Sequence, residues 1–220
     1  MAATHAHLPP RIEKLGDNGD LRPGSPIRAV SNGNGARAGV AAFVSDPDGA
    51  IYLVMCGHAF PGGSGSVEVS GAKVADVVAN TLGTHDVDAA LCRLTPAGVG
   101  LAQSSPATTW LADVHTPLPS DNGGQVTFYP TNSNGPPPFV QNVSSYSANE
   151  QVANVSLAGL ITLPECTQAG DSGSLLAFAN RYYGLCSGTS GTLSCFTPIE
   201  LALDTLGQEI SKELRIWTPN

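Results

Sequence analysis

Residues 165–174 read Glu-Cys-Thr-Gln-Ala-Gly-Asp-Ser-Gly-Ser, and the reading of the whole chain turns on Gly170-Asp171-Ser172-Gly173 at their centre. Glycine on both sides frees the backbone for a tight turn, from which Ser172 can project between the apolar runs Ala158 to Leu163 and Ser174 to Phe178. Alone, such a tetrapeptide also occurs in ordinary turns. A serine hydroxyl becomes a nucleophile only where a histidine takes its proton and a carboxylate holds that histidine in the correct tautomer. The sequence upstream offers both: Cys56-Gly57-His58-Ala59 ends an apolar run, and Asp86-Val87-Asp88-Ala89-Ala90-Leu91 leads into another.

The surrounding pattern is one of short strands. Asp48-Gly49 separates the runs Gly39 to Val44 and Ala50 to Cys56, a strong hairpin signal. Ser66 to Val69 and Lys73 to Val78 repeat the plan around Gly71, and Asp88 to Leu94 supplies a further strand. Residues 103–124, rich in Ser, Thr, Pro, Asn and Gly, read as a surface connection. Strands are then expected at Gln125 to Tyr129, Val152 to Ser156, Ala158 to Leu163, Ser174 to Phe178, Tyr182 to Cys186 and Leu193 to Thr197. Only Pro198 to Leu206, continuing to Ile216, reads as a helix, with Leu201, Leu206 and Ile210 on one face.

In the order His, Asp, Ser, and in the motifs Gly-His-Ala, Asp-x-Ala-Leu and Gly-Asp-Ser-Gly, the chain resembles the chymotrypsin-like serine proteases over about residues 36–206. Tyr183-Gly184-Leu185-Cys186-Ser187-Gly188 looks like the family's substrate-binding strand, and Phe196-Thr197-Pro198-Ile199 like its last barrel strand and helix entry. The spacings, 30 residues from His58 to Asp88 and 84 from Asp88 to Ser172, are similar to short-looped bacterial and viral members. The resemblance implies an all-β fold of two six-stranded antiparallel β-barrels with a C-terminal helix. The expected organisation is a loosely ordered arm at 1–24, a first barrel at 25–105, a linker at 106–122, a second barrel at 123–200, and a helix and tail at 201–220.

Carried over, the resemblance makes Ser172 the nucleophile, His58 the general base and then acid, and Asp88 the group that orients His58. Asp88 is preferred to Asp86 because only Asp88 begins Asp-x-Ala-Leu. Backbone amides of Gly170 and Ser172 would form the oxyanion hole, worth about 3 to 4 kcal/mol per donor in the transition state. No Ile/Val-x-Gly-Gly activation sequence is present, so no zymogen cleavage is expected and Asp171 should be satisfied locally. Ser174 stands where the family usually has a second glycine. The implied substrate-binding residues are Cys166 and Thr167 at the base of the specificity pocket, with Cys186, Ser187, Gly188, Thr189 and Ser194 around it. None is acidic, so a substrate Lys or Arg would bury an uncompensated charge. The expected activity is a serine endopeptidase preferring a small or neutral side chain before the scissile bond. An esterase on the same triad, or a catalytically silent binding module, are the alternatives.

The 220 residues include 25 glycines and 17 prolines, which fits a turn-rich chain. Residues 1–37 carry five Lys/Arg against three Asp/Glu, leaving five against fifteen for the remainder. So acidic a body repels phosphate, which argues against nucleic acid or an anionic membrane as partner. The expected partner is a protein or peptide substrate, with a dedicated intracellular partner carried only by family analogy, and the chain is expected to be a monomer. No stretch reads as a secretory signal, so cytoplasmic residence is the expectation unless a signal has been removed. Cys56, Cys92, Cys166, Cys186 and Cys195 show no zinc-like spacing, and neither metal nor cofactor is expected. They read as buried thiols, with a Cys166–Cys195 bridge left open by the resemblance. Leu214 to Trp217 either packs on the barrel or returns to the cleft as a self-cleaving segment.

Overall fold

The computed structural model describes residues 19–105, 110–131 and 137–219. Alternation of apolar and polar residues, punctuated by left-handed turn residues, yields two antiparallel sheets. The first contains β1 (Pro26–Ser31), β2 (Asn34–Gly39), β3 (Ala42–Ser45), β4 (Ile51–Met55), β5 (Ser66–Val69), β6 (Ala72–Asn80) and β7 (Ala90–Leu94). The second contains β8 (Gln125–Tyr129), β9 (Phe139–Asn142), β10 (Ser145–Val152), β11 (Val155–Pro164), β12 (Leu175–Phe178), β13 (Arg181–Ser190) and β14 (Leu193–Pro198).

Each sheet closes through one bent strand. β2 pairs with β1 while β3 pairs with β4, yet only Val40 and Ala41 separate them. Val40 bonds back to Ser25 (3.1 Å), and the next amide, Ala41, already donates to Val54 (2.9 Å). In the second sheet Val143 donates to Gly124 at 2.9 Å and Ser144 to Thr162 at 2.7 Å, so β9 and β10 are likewise one strand that switches partner. Counted this way each barrel has six strands, as expected.

Two-residue turns with both backbones left-handed set the hairpin registers. Asn32-Gly33 (φ 52° and 77°) and Ser70-Gly71 (50° and 80°) use glycine, whereas Ala153-Asn154 (48° and 69°) and Ala179-Asn180 (48° and 61°) do not. The single strand expected at Val152 to Ser156 is therefore broken by the Ala153-Asn154 turn, with Val152 ending β10 and Val155-Ser156 opening β11. Alanine in this conformation costs about 1 kcal/mol or more, which is why it does not announce itself.

The first core extends across the barrel boundary, and the second barrel has a cluster of its own. Phe43, Leu53, Met55 and Leu91 fill the first barrel, and the same cluster runs on through Tyr129, Leu175, Tyr182 and Leu185 of the second sheet. Val126, Phe128, Ile161, Leu176, Tyr183 and Phe196 fill the second barrel itself. Burying such side chains contributes about 1.5 to 3 kcal/mol each relative to exposure.

Three expectations need correction. First, residues 19–24 of the supposed arm pack onto the body: Leu21 is wholly buried and its amide donates to Ser105 Oγ at 3.1 Å; residues 1–18 lie outside the described residues. Second, Pro96–Ser104 forms a helix, α1, capped by Thr95, whose hydroxyl accepts from the Gly98 amide. Two glycines lower its intrinsic propensity, but a Cβ at Gly98 would lie 2.1 Å from Val74 O, so close docking on β6 requires glycine there. Third, the C-terminal helix α2 spans Ile199–Ile210 and stops at Ser211, which is left-handed (φ 54°). Its buried face is centred on Ile199, Ala202, Leu203 and Leu206, with Leu201 and Ile210 half-buried beside it. Arg215–Ile216 then forms β15 on the edge of β3. Trp217 packs against Trp110 (5.6 Å between ring centroids) and Phe43 (6.2 Å), so this segment docks on the first barrel and not in the cleft.

Candidate active site

Three loops meet where the barrels face each other. The buried strand β4 runs into Cys56 and a single 3-10 turn, Gly57–Ala59, that lifts His58 to the barrel rim. Asn80 clamps this turn: its Nδ2 donates to Gly57 O (2.9 Å) and Phe60 O (3.3 Å), while its Oδ1 accepts from the Leu82 amide (3.0 Å). The adjacent Thr81 hydroxyl donates to Val87 O at 2.7 Å and to Ala89 O at 3.0 Å, fixing the loop that delivers Asp88.

These supports bring the expected trio into one hydrogen-bond chain. Asp88, 1% exposed, accepts the His58 backbone amide on Oδ1 at 2.9 Å and lies 2.8 Å from His58 Nδ1 through Oδ2. On the other side of the ring, His58 Nε2 is 2.8 Å from Ser172 Oγ. Because Nδ1–H donates to a carboxylate, Nε2 is left as the acceptor for the serine proton. Asp86 is exposed, and its carbonyl instead accepts the Ala158 amide at 3.0 Å.

Burial works against the His58 imidazolium, but the Asp88 carboxylate that lies against Nδ1 favours the charged form, and the balance raises the pKa above the ordinary 6.5. Cys56 is fully buried, and desolvation pushes its thiol up, so it stays protonated at neutral pH. All five cysteines are free thiols, Cys195 and Cys166 included.

The turn carrying Ser172 is held from three directions. Ser172 O accepts the Gly39 amide at 2.7 Å, and the Gly173 amide donates to Cys186 O at 2.7 Å. A Cβ at Gly173 would fall 2.5 Å from Gly39 O, so no side chain fits where the two barrels touch. Asp171, 2% exposed, accepts the Thr131 amide on Oδ1 and the Gln168 amide on Oδ2, both at 2.9 Å. Its charge is thus met locally. Gly170 has φ +96°, and neither its amide nor that of Ser172 has an acceptor among the described residues. Two unspent N–H groups beside a serine hydroxyl form a place where negative charge on oxygen can be stabilised.

Ser194 gathers the residues expected at the pocket base: its Oγ accepts the amides of Cys166 (2.8 Å) and Thr167 (3.1 Å) and lies 3.0 Å from Thr167 Oγ1. Cys186 is buried in the core of the second barrel, where half-buried Cys166 packs against the same cluster. Ser187 Oγ lies 2.8 Å from Thr197 Oγ1. The β13–β14 register shifts between Cys186 and Gly188, a bulge of the kind that re-aims side chains at sites. Gly188 and Thr189 pair with Cys195 and Ser194 of β14 on one side only.

Sequence reasoning passed over Asn80, Thr131 and Arg37. Thr131 Oγ1 donates to Gly170 O at 2.9 Å and lies 2.8 Å from Ser174 Oγ, while Arg37 holds Thr131 O through Nε (3.1 Å) and Nη2 (2.8 Å). All three act mainly through backbone atoms of distant residues, which leaves no local motif. Among the described residues no cluster of side chains could hold a metal ion.

No family model matches the sequence, and no curated protein matches it. In three dimensions the chain is similar to a glutamic-acid-specific serine protease (TM-score 0.66, 19% identity, 90% of this chain and 100% of the other). It is also similar to protease A of Thermobifida fusca (0.66, 17%, 90% and 100%) and to a chymotrypsin of Cellulomonas bogoriensis (0.65, 19%, 90% and 99%). The chain therefore has the two-barrel, chymotrypsin-like fold that these bacterial serine proteases share.

Proposed function

We propose that the protein is a serine endopeptidase with Ser172 as nucleophile, His58 as general base and acid, and Asp88 as the group that orients His58. The observation that carries this reading is the unbroken chain Asp88 Oδ2, His58 Nδ1, His58 Nε2, Ser172 Oγ, with 2.8 Å at each hydrogen bond. As Ser172 Oγ attacks the scissile carbonyl carbon, its proton passes to His58 Nε2, and the imidazolium is stabilised by Asp88. The carbonyl oxygen, now negative, takes hydrogen bonds from the free amides of Gly170 and Ser172. His58 returns the proton to the departing amine, leaving an acyl-enzyme ester. Water, deprotonated by His58, then releases the acid and restores Ser172.

The acyl side of the substrate extends along the one-sided edge at Ser187, Gly188 and Thr189, where an added strand finds main-chain partners. The side chain before the scissile bond points toward Cys166, Thr167 and Ser194. With no carboxylate among them, a small or neutral residue is preferred over Lys or Arg.

Covalent labelling with a fluorophosphonate, read by intact mass on wild type, Ser172→Ala and His58→Ala, tests this reading. One adduct on wild type and none on either variant is expected. A folded wild type that takes no adduct would overturn it. Profiling against a peptide library tests specificity, and a preference for Arg or Lys would sink the neutral-pocket assignment.

A further inference from the structure

We propose that Arg37 recognises a carboxylate on the leaving-group side of the scissile bond. The inference rests on the endopeptidase reading above and adds a substrate class to it.

If the acyl side runs along Ser187 to Thr189 and the carbonyl oxygen faces the Gly170 amide, the leaving side must exit across the opposite wall. There lies an open cleft of about 260 Å³ that contains both His58 and Ser172 and is bounded by Asn32, Asn34, Arg37 and Pro61. None of its lining residues is acidic, and Arg37 is its fixed cation. The stem of Arg37 passes the oxyanion loop: a Cβ on Gly170 would sit 3.5 Å from Arg37 Cδ. The guanidinium therefore belongs to the same cleft wall that the leaving side would cross, beside the oxyanion loop.

This cation is pre-positioned yet unspent. Nε and Nη2 both donate to Thr131 O, which fixes the plane of the guanidinium without neutralising it. Among the described residues, no carboxylate lies within ion-pair distance of it. Its cross-strand partner makes the contrast. Arg28 sits directly opposite Arg37 in the β1–β2 register, and like charges so placed repel. Arg28 is compensated by Glu68 at 2.8 Å, whereas Arg37 is not. An incoming carboxylate would relieve that repulsion and gain charge-assisted hydrogen bonds, whether it is an acidic side chain or the carboxylate at a peptide's end.

Partitioning of an acyl-enzyme tests this independently of acyl-side specificity. The enzyme is acylated with a small activated ester, and the dipeptide amides Ala-Glu-NH2 and Ala-Gln-NH2 compete with water for it. In aminolysis the dipeptide nitrogen bonds to the acyl carbon, the Ser172 ester bond breaks, and the amine proton passes through His58 to Ser172. Aminolysis by Ala-Glu-NH2 should exceed that by Ala-Gln-NH2 by about tenfold in wild type and by about onefold in Arg37→Gln. Comparing the two nucleophiles within each enzyme cancels any general loss from freeing Thr131. A second pair, Ala-Ala with a free C-terminus against its amide, separates the sources: a preference only here assigns Arg37 to the chain-end carboxylate. Equal or absent aminolysis in both pairs, or a preference that survives Arg37→Gln, overturns the inference while the endopeptidase reading stands. Failure to acylate Ser172 at all would remove that reading, and the inference with it.

Discussion

The backbone amide of Thr131 meets Asp171 Oδ1 at 2.9 Å, which joins the end of β8 to the residue just before the serine. Around that bond Thr131 does three further things: its hydroxyl holds Gly170 O and reaches Ser174 Oγ, and its carbonyl takes two hydrogen bonds from Arg37. The loop that carries the Gly170 and Ser172 amides is thus braced from β2 through β8, across the barrel boundary.

Removing only the hydroxyl tests that brace. Thr131→Val keeps the shape and the backbone bonds but leaves Gly170 O and Ser174 Oγ without their partner. Hydrogen bonds of this kind contribute about 1 kcal/mol each, so kcat should fall about tenfold with KM little changed. Thr131→Ser should restore most of it. Equal fluorophosphonate labelling rates in Thr131→Val and wild type would show that the brace has no bearing on reactivity.

Asp171→Asn probes the same joint from the other side. One carboxylate oxygen becomes an NH2 facing an N–H donor, in a site 2% exposed to water. Loss of a charge-assisted bond and an unpaired buried donor together cost about 2 to 4 kcal/mol. Chemical denaturation should show that loss, and a variant as stable as wild type would contradict the assigned role.

Asn80 is the corresponding support for the histidine. Asn80→Ala frees Gly57 O, Phe60 O and the Leu82 amide at once. His58 then loses its fixed distance to Ser172, so the labelling rate should fall about tenfold or more, beyond any change in melting temperature. Asn80→Asp cannot donate and should resemble Asn80→Ala. An active Asn80→Asp would refute the clamp.

The sequence reports those features whose chemistry is local. Gly-Asp-Ser-Gly, Gly-His-Ala and Asp-x-Ala-Leu each mark a turn or strand end by residue type, and Asp48-Gly49 marks its own hairpin. The turns at Ala153-Asn154 and Ala179-Asn180 escape notice because tertiary pairing imposes a conformation that alanine disfavours. Helix α1 escapes because its glycines serve docking and not helicity. Arg37, Thr131 and Asn80 escape because each bonds to the backbone of a segment 20 or more residues away, and backbone acceptors have no sequence signature.

The pH dependence follows from His58. Ser172 can give up its proton only to a neutral imidazole, and the His58 pKa lies above its ordinary 6.5. Activity should therefore rise with pH through a single ionisation whose midpoint lies above 6.5. For stability the sign is opposite. A raised histidine pKa stabilises the fold fully below the unfolded value, and that contribution is lost as pH rises through the folded value. The melting-temperature difference between wild type and His58→Ala should shift against wild type over that interval. A kinetic midpoint at or below 6.5 would show that Asp88 does not outweigh burial.

A second pH window lies at the acid end, at the joint that fixes the C-terminus. Lys212 bonds to Asp46 and lies 2.9 Å from Asp48, while Asp46 also accepts the Tyr52 hydroxyl and the Ala50 amide, each at 2.9 Å. The Lys212 hydrogen bond is the largest influence holding the Asp46 carboxyl down to about 2, against an ordinary 3.8. A depressed carboxylate pKa gives stability that is present above 3.8 and is lost as pH falls toward 2. Wild type should lose melting temperature over that interval, and Asp46→Asn should lose less while melting lower at pH 7. Lys212→Met should reproduce the flattened profile, because it removes the same bond from the other end. Since Lys212 lies three residues before β15 on β3, and β3 pairs with β4, which leads into the His58 turn, limited proteolysis of Lys212→Met should release the C-terminal segment earlier than in wild type. Fluorophosphonate labelling of the same variant should stay near the wild-type rate, because the four-residue pairing of β3 with β4 does not depend on β15. A labelling rate that falls with release would show instead that the docked terminus supports the histidine turn.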